Sequence, residues 1–317
     1  RWAVTVLGLG TMLLGGYRAL RQYDLKLLLA FGTVSQLGFI VLLVGQGTRG
    51  AALAGLAMIG AHAVFKAGLF LSVGVVDAAT SCRDLRRLSG LGRAIPVTAV
   101  GAALCVASMM GVAPLSGFVA KETAFEEFTT SPVLLVGIVL GSILTVAYGL
   151  RFWWGAFATK RTIAIAPTEE KPRLPGQPEH AVPGAAAPPA PISQPPLVMS
   201  GPVLLLGLAG LVMGLLPNLG ERWLAPHANT YPTGAPGHLV LWAGFTPILL
   251  LSLAVLATGV LLFYFREQVS RTQARIPHVP EADHVFERLM RSLDNLAAHV
   301  TAFTQRGSLP GYLGSIL

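Results

Sequence analysis

Charge is scarce in this sequence. Charged side chains make up 12% of its 317 residues against 53% hydrophobic, and the mean hydropathy is +0.63. That is more apolar surface than one soluble core of this length buries, which identifies a polytopic membrane protein. Cysteine is nearly absent as well. Cys82 lies in a polar stretch and Cys105 in an apolar run, and with no metal-ligand spacing they support neither a disulfide framework nor a zinc site. No Walker loop, no GxGxxG after a strand, no haem or iron–sulfur cysteine spacing and no nucleophile elbow occurs. Redox and ATP chemistry are therefore not expected in this chain, and neither is a cofactor.

What is present is a series of continuous apolar runs: 2–20, 26–46, 51–77, 96–128, 132–158, 198–217 and 240–265. Each is near the length of about 20 residues that a helix needs to cross hydrocarbon, and none alternates as a barrel strand does. The expected fold is all-α, a polytopic transmembrane helix bundle. Gly8, Gly10, Gly15, Gly16, Gly55 and Gly60 suit close approach of helix backbones. The net charge of +8 does not point to nucleic acid, because the basic residues fall in alternate loops. Arg18, Arg21 and Lys26 follow the first run, Arg83, Arg86, Arg87 and Arg93 the third, Lys160, Arg161, Lys171 and Arg173 the fifth, and Arg266, Arg271 and Arg275 the seventh. The opposite loops hold little beyond Arg49 and Arg222. Such alternation places the basic loops in the cytoplasm.

Residues 167–196 carry ten prolines, which makes 161–197 a solvated cytoplasmic linker. Beyond the last run, Val285, Phe286, Leu289, Met290, Leu293, Leu296, Ala297, Val300 and Phe303 recur at helical spacing. An amphipathic helix is expected there, on the membrane surface or against the bundle. The chain opens on Arg1 and closes at Gly311–Leu317, which reads like the start of a further span, so a fragment of a longer protein is expected, with no signal peptide identifiable.

Against this apolar background a few polar residues stand out. His62 and Lys66 lie four residues apart within Ala51–Val76, a run with no other ionisable side chain. A Lys at the centre of a spanning helix is disfavoured by roughly 2.5–3.5 kcal/mol, so it is retained for a use. The fourth run is too long for a plain span, and its middle reads Gly111-Val-Ala-Pro114-Leu-Ser-Gly117, followed by Lys121. Pro removes a backbone donor and the glycines loosen the helix, so two half-helices joined by an unwound turn are expected. Low dielectric weakens a lysine's preference for its charged form, which suits proton exchange. Were Lys66 and Lys121 about 10 Å apart, their repulsion at an effective dielectric near 20 would be about 1.7 kcal/mol, so protonating one would help discharge the other. His62 titrates nearest neutrality and is placed to bridge them through water.

Glu122 adjoins Lys121, with Glu126 and Glu127 one turn on, as a mouth for protons or cations or as an ordinary helix end. Asp24 and Lys26 fit a helix start in a basic loop. Tyr148, Arg151, Trp153 and Trp154 read as an interfacial anchor.

Arg18–Gly38 (RALRQYDLKLLLAFGTVSQLG), His62–Leu71 (HAVFKAGLFL) and Pro114–Glu122 (PLSGFVAKE) together resemble the signature of the antiporter-like membrane subunits shared by Mrp cation/proton antiporters and respiratory complex I. Arg83–Leu91 (RDLRRLSGL) and Thr304–Leu313 (TQRGSLPGYL) are more similar to the large A-type component of Mrp antiporters. The resemblance implies two inverted five-helix repeats, each with a broken helix carrying a central Lys. Residues 1–160 would be the second repeat, 198–266 two further spans, and 267–317 a cytoplasmic loop with an amphipathic lateral helix and the start of a next span. Lys121 matches the central Lys, Lys66 and His62 the relay positions between the halves, and Glu122 the acidic neighbour. Family members often carry a second His one turn before His62, where this chain has Met58. The first repeat, with its own Lys and Glu, is absent, so this stretch alone is not expected to transport.

The function implied is that of a proton-translocating subunit of a multisubunit Na⁺/H⁺ antiporter in a bacterial inner membrane, a secondary transporter and not an enzyme. Its expected partners are other subunits of a hetero-oligomeric complex, lipid, protons and Na⁺ or another monovalent cation. The alternatives are a proton-pumping membrane-arm subunit of complex I or of a membrane-bound hydrogenase, and a structural subunit with a vestigial proton path.

Overall fold

The computed structural model describes residues 2–160, 195–275, 282–304 and Gly314. The Pro-rich linker up to residue 194, the apolar segment expected to begin a further span, and the family-like stretch after Thr304 lie outside the described residues. The chain divides into two units, Arg1–Arg266 and Glu267–Leu317.

The elements in order are α1 (Trp2–Arg21), α2 (Leu25–Gly45), α3 (Arg49–Thr80), α4 (Leu91–Ala94), α5 (Pro96–Met110), α6 (Ser116–Glu127), α7 (Pro132–Phe157), α8 (Leu197–Leu215), α9 (Pro217–Ala228), α10 (Pro247–Tyr264), α11 (Arg266–Arg275) and α12 (Ala282–Thr304). Among the described residues there is no strand beyond isolated bridges at Asp24 with Asp84 and Thr48 with Thr233. Six helices, α1, α2, α3, α7, α8 and α10, are long and apolar enough to cross a membrane. The chain is thus the multi-pass helical membrane protein that its composition requires. The fourth run is divided as expected, into α5 and α6 around Gly111–Leu115. At 32 residues α3 is the longest helix described, rising about 48 Å against a hydrocarbon thickness of about 30 Å.

Two elements differ from the expected outline. The last apolar run is helical only from Pro247, because the Thr246 side chain accepts from the Leu249 amide and Pro247 occupies the first helical position. Residues 240–246 form an irregular segment in which Trp242 and Phe245 are exposed and the preceding Leu239 is buried. The polar stretch after α8 folds into α9, started by Pro217 in the same way.

The helices pack through small residues, since lipid supplies no hydrophobic force between them. A Cβ on Gly38 of α2 would stand 2.5 Å from the Met12 amide of α1, and one on Gly15 of α1 would stand 2.6 Å from the Ser35 amide of α2. These two backbones are therefore in direct contact, sealed by a hydrogen bond from Ser35 Oγ to the Met12 carbonyl at 2.7 Å. At the end bearing the basic loops, the Asp24 carboxylate caps α2 by accepting from the Lys26 and Leu27 amides. The 82–90 loop pairs with that turn through Leu25 N to Arg83 O (2.9 Å) and Leu85 N to Tyr23 O (2.8 Å). Lys26 itself is exposed. In the second unit, α12 carries Phe286, Leu289, Leu293, Leu296 and Val300 as exposed apolar side chains at helical spacing, an amphipathic helix as expected.

Gly38→Val should lower the thermal unfolding midpoint of the purified protein in detergent by the equivalent of roughly 1–3 kcal/mol, because α1 must move to admit the side chain. Gly10→Ala, where nothing lies within 4 Å, is the matched control and should leave the midpoint unchanged or slightly raised. Equal midpoints for the two variants would contradict the backbone contact.

Candidate functional site

The break in the fourth run is built by capping. Gly111 takes a left-handed conformation at φ +85°, accessible to glycine at little cost. Its amide donates to Ser108 O at 3.0 Å and the Val112 amide to Ala107 O at 2.9 Å, the pattern of a Schellman motif. That leaves the Met109 and Met110 carbonyls at the end of α5, and both are taken by Lys121 Nζ, at 3.0 Å each. The lysine's methylenes lie across Gly111, where a Cβ would stand 2.8 Å from Cδ. The start of α6 is served in return by α5: Ser108 Oγ accepts from the Gly117 amide at 3.2 Å and pairs with Ser116 Oγ at 3.3 Å. Each half-helix thus supplies the cap of the other, and Lys121 is buried at 3% exposure.

This arrangement tolerates nothing larger than glycine at the crossing points. A Cβ on Gly117 would collide with the Ser108 carbonyl, and one on Gly214 of α8 with the Pro114 carbonyl. Helix α8 covers the break with Gly210 and Gly214, Gly210 standing opposite both Ser108 and Ser116.

Lys66, on α3, is also buried and donates to the Leu29 carbonyl of α2 at 3.1 Å. Approach is possible because Gly32 has no side chain: a Cβ there would stand 3.1 Å from Lys66 Nζ and 3.0 Å from the Tyr148 ring. Tyr148 of α7 is fully buried, and its hydroxyl and the Thr145 hydroxyl both accept from Gln36 Nε2, at 3.3 and 3.1 Å. The next residue, Gly149, packs on Met109 and Met110, whose carbonyls hold Lys121. A polar group of side chains, Gln36, Thr145 and Tyr148, therefore lies beside Lys66.

The expected site residues divide as follows. His62 and Lys66 share a face of α3; the imidazole lies edge-on to Phe65 with ring centroids 5.3 Å apart, and its buried Nδ1 has no hydrogen-bond partner among the described residues. Lys121 and Glu122 are neighbours in sequence but point to different helices, Glu122 accepting a hydrogen bond from Ser252 Oγ of α10. Glu126 is exposed, while Glu127 accepts from Thr48 Oγ1 at the start of α3, at 2.5 Å. The interfacial anchor needs correction. Tyr148 belongs to the bundle core, Arg151 donates to the Gln22 carbonyl at 3.1 Å and stacks on Tyr23, and Trp153 donates to Ala99 O at 3.0 Å. Of the four only Trp154, 44% exposed, faces outward.

Sequence reasoning passed over Ser108, Ser116, Gln36, Ser142, Thr145 and Ser252. A signal existed for Gln36, an amide in the middle of an otherwise apolar run. The buried Gln36 Oε1 and Ser142 Oγ, like His62 Nδ1, have no partner among the described residues, and buried polar atoms of this kind bind water. Among the described residues no cluster of His, Cys, Asp or Glu suits a metal ion.

Ser108→Ala removes the only side-chain acceptor of the Gly117 amide. Hydrogen exchange across residues 116–118 should quicken by about tenfold, for a lost buried hydrogen bond of roughly 1–3 kcal/mol, while exchange in α1 and α2 stays unchanged. Unaltered exchange at 116–118 would contradict the reciprocal caps.

Residues 1–146 match the NADH:quinone oxidoreductase/Mrp antiporter TM family. The chain is 33% identical to the A/B component of a probable K(+)/H(+) antiporter of Rhizobium meliloti, covering 92% of this chain and 28% of that protein. It is 28% identical to the A component of the Na(+)/H(+) antiporter of Bacillus subtilis, covering 98% and 40% respectively. The solved Mrp complex from Dietzia sp. contains a chain that it matches with a TM-score of 0.80 at 30% identity, covering 99% of this chain and 32% of that one. The chain thus spans between about a quarter and two fifths of the length of these relatives. With a divided helix and a buried lysine at its break, set in a bundle that superposes on part of an Mrp complex, this chain is similar to the antiporter-like membrane proteins common to NADH:quinone oxidoreductases and Mrp antiporters, and among them to the A-type components of Mrp antiporters.

Proposed function

We propose that this chain is the second antiporter-like repeat, residues 1–160, with the following helices, of the proton-translocating subunit of a multisubunit monovalent cation/proton antiporter in a bacterial inner membrane. Its partners are the other subunits of that complex, and its ions are protons and Na⁺ or K⁺, the cations named for its two relatives. The observation that carries this reading is Lys121, buried at the helix break and held by two backbone carbonyls.

The hydrogen-bond count suits a proton carrier. An ammonium has three N–H donors, and Lys121 directs two of them at Met109 O and Met110 O. The third proton is the one free to leave. A neutral amine retains two N–H groups, so both carbonyls stay capped after the proton departs, and the break need not rearrange in each cycle. Lys66 is the second carrier, His62 connects the two through water at its unpartnered Nδ1, and Glu122, held by Ser252, is the acidic group beside Lys121. Proton influx along this route is coupled to cation efflux elsewhere in the complex.

Inverted vesicles from an antiporter-deficient host expressing the complete parent complex test this. Added Na⁺ or K⁺ should dissipate a preformed pH gradient with wild type, and Lys121→Ala at matched assembly should reduce the rate at least about tenfold, as loss of one obligatory proton carrier requires. Exchange that survives the substitution would make this half-channel structural. A gradient indifferent to either cation, with flavin or iron–sulfur subunits copurifying, would favour the pump of a respiratory complex, the other branch of the same family.

A further inference from the structure

At the ends of α7 and α10 that carry the basic residues, three cations converge with one ion pair nearby. Lys160 Nζ donates to the Leu85, Leu88 and Gly155 carbonyls at 2.5, 3.0 and 2.6 Å, using all its donors. Burial pushes Lys160 down to about 8; Asp84 opposes this, and the like charges of Arg151 and Arg266 add to it. Arg266 lies over Phe263, which meets Trp154 three residues after Arg151, and Lys160 is held by the Gly155 carbonyl next to Trp154, so all three cations stand at this end of α7. Asp84, the carboxylate that acts on Lys160, is already bound by Arg86 through bonds of 3.0 and 2.7 Å.

Topology explains basic residues in a loop, but not three partly buried cations drawn together. Arg151 and Lys160 each sit at a helix C-terminus, where the carbonyls carry about half a negative charge, whereas Arg266 opens α11. Arg151 lies on Gln22 just past α1, Lys160 on the last turn of α7, and Arg266 two residues past α10. Two such ends offset about one of the three positive charges, leaving a surplus of roughly 2. Arg151 spends Nε and Nη2 on the Gln22 carbonyl, whereas Arg266 is held over the Phe263 ring at 5.0 Å and none of its N–H groups bonds a described residue. A phosphodiester, with one negative charge and two unesterified oxygens, offsets part of that surplus and fits the open fork of Arg266.

The surroundings indicate where such a group comes from. Trp154 of α7 and Phe263 of α10 meet edge to face at 6.3 Å beside the cations, and Trp154, Tyr264 and Phe265 are 44%, 71% and 43% exposed. This is an aromatic wall at the level where headgroups meet acyl chains. We propose that Arg266, with Arg151 and Lys160 as fixed charges, forms a binding site for the phosphate of an anionic phospholipid in the leaflet facing the basic loops, its chains running down the α7–α10 seam past Trp154 and Phe263.

Native mass spectrometry of the complete complex purified from phosphatidylglycerol-containing membranes should find lipid retained at this site. Arg266→Gln, which breaks no hydrogen bond within the described structure, should reduce retention by at least about tenfold, as expected for loss of a charge-assisted bond pair. Phosphatidylglycerol should also raise the thermal midpoint of wild type above that in phosphatidylcholine, and should not do so for Arg266→Gln. Arg266→Lys, which keeps the charge but not the fork, should recover part of the effect. Equal retention by wild type and Arg266→Gln would overturn the site. Millimolar inorganic phosphate matching the stabilisation by phosphatidylglycerol would also overturn it, showing a soluble-anion site in its place.

Discussion

The constraint on which the rest of this structure depends is that no backbone hydrogen-bonding group can be left unsatisfied in hydrocarbon. Breaking a helix inside a membrane exposes several carbonyls on one side and several amides on the other, each costing several kcal/mol if left bare. Here the break is closed by exchange: α6 sends Lys121 back to the end of α5, and α5 sends Ser108 forward to the start of α6. The lysine proposed to carry the proton is therefore also the residue that makes the local backbone possible. A structural role and a proton-handling role would coincide in one ammonium, so deleting it tests both unless assembly is matched.

The surrounding helices are shaped to this arrangement. Helix α8 brings Gly210 and Gly214 against the break, so that backbone meets backbone and lipid is kept from the Ser108–Ser116 pair. Helix α7 contributes Gly149 against Met109 and Met110, and one residue earlier places Tyr148 beside Gly32. Helix α10 reaches the same region through Ser252, which fixes Glu122, and packs through Gly259 against Val146. The small residues in these helices thus mark the lines along which a polar centre is enclosed.

Much of this was legible in the sequence, for identifiable reasons. Lys66 and Lys121 stood out because a charge in an apolar run is costly, and the break stood out because Gly111, Pro114 and Gly117 all oppose a continuous helix. The caps were not legible: Ser108 is an unremarked hydroxyl in an apolar run until Gly111 turns the chain and brings Gly117 back to it. Tyr148 was misplaced because an aromatic near Arg151 and two tryptophans resembles a headgroup belt. Its burial follows from α2 and α7 facing each other across Gly32, a fact of packing and not of local composition. Residues 240–246 were assigned to a span because apolar side chains in an irregular segment look the same as those in a helix until Thr246 is seen to cap. For α9 the reverse held, since Pro217 reads as a breaker when it is in fact a starter.

The length of α3 has an electrical consequence. His62 and Lys66 bracket the midpoint of Arg49–Thr80, roughly 24 Å from either end. With that midpoint at the centre of the bilayer, a charge there would experience about half of the transmembrane voltage. Moving one elementary charge through the full membrane is worth about 2.3 kcal/mol per 100 mV, so half of it is about 1.1 kcal/mol. A potential of about 100 mV would then alter the protonation ratio of Lys66 by roughly sevenfold through the field alone, with no change in any contact. If Lys66 is the proton carrier proposed above, membrane voltage, as well as the local pH on either side, would set how often it is charged.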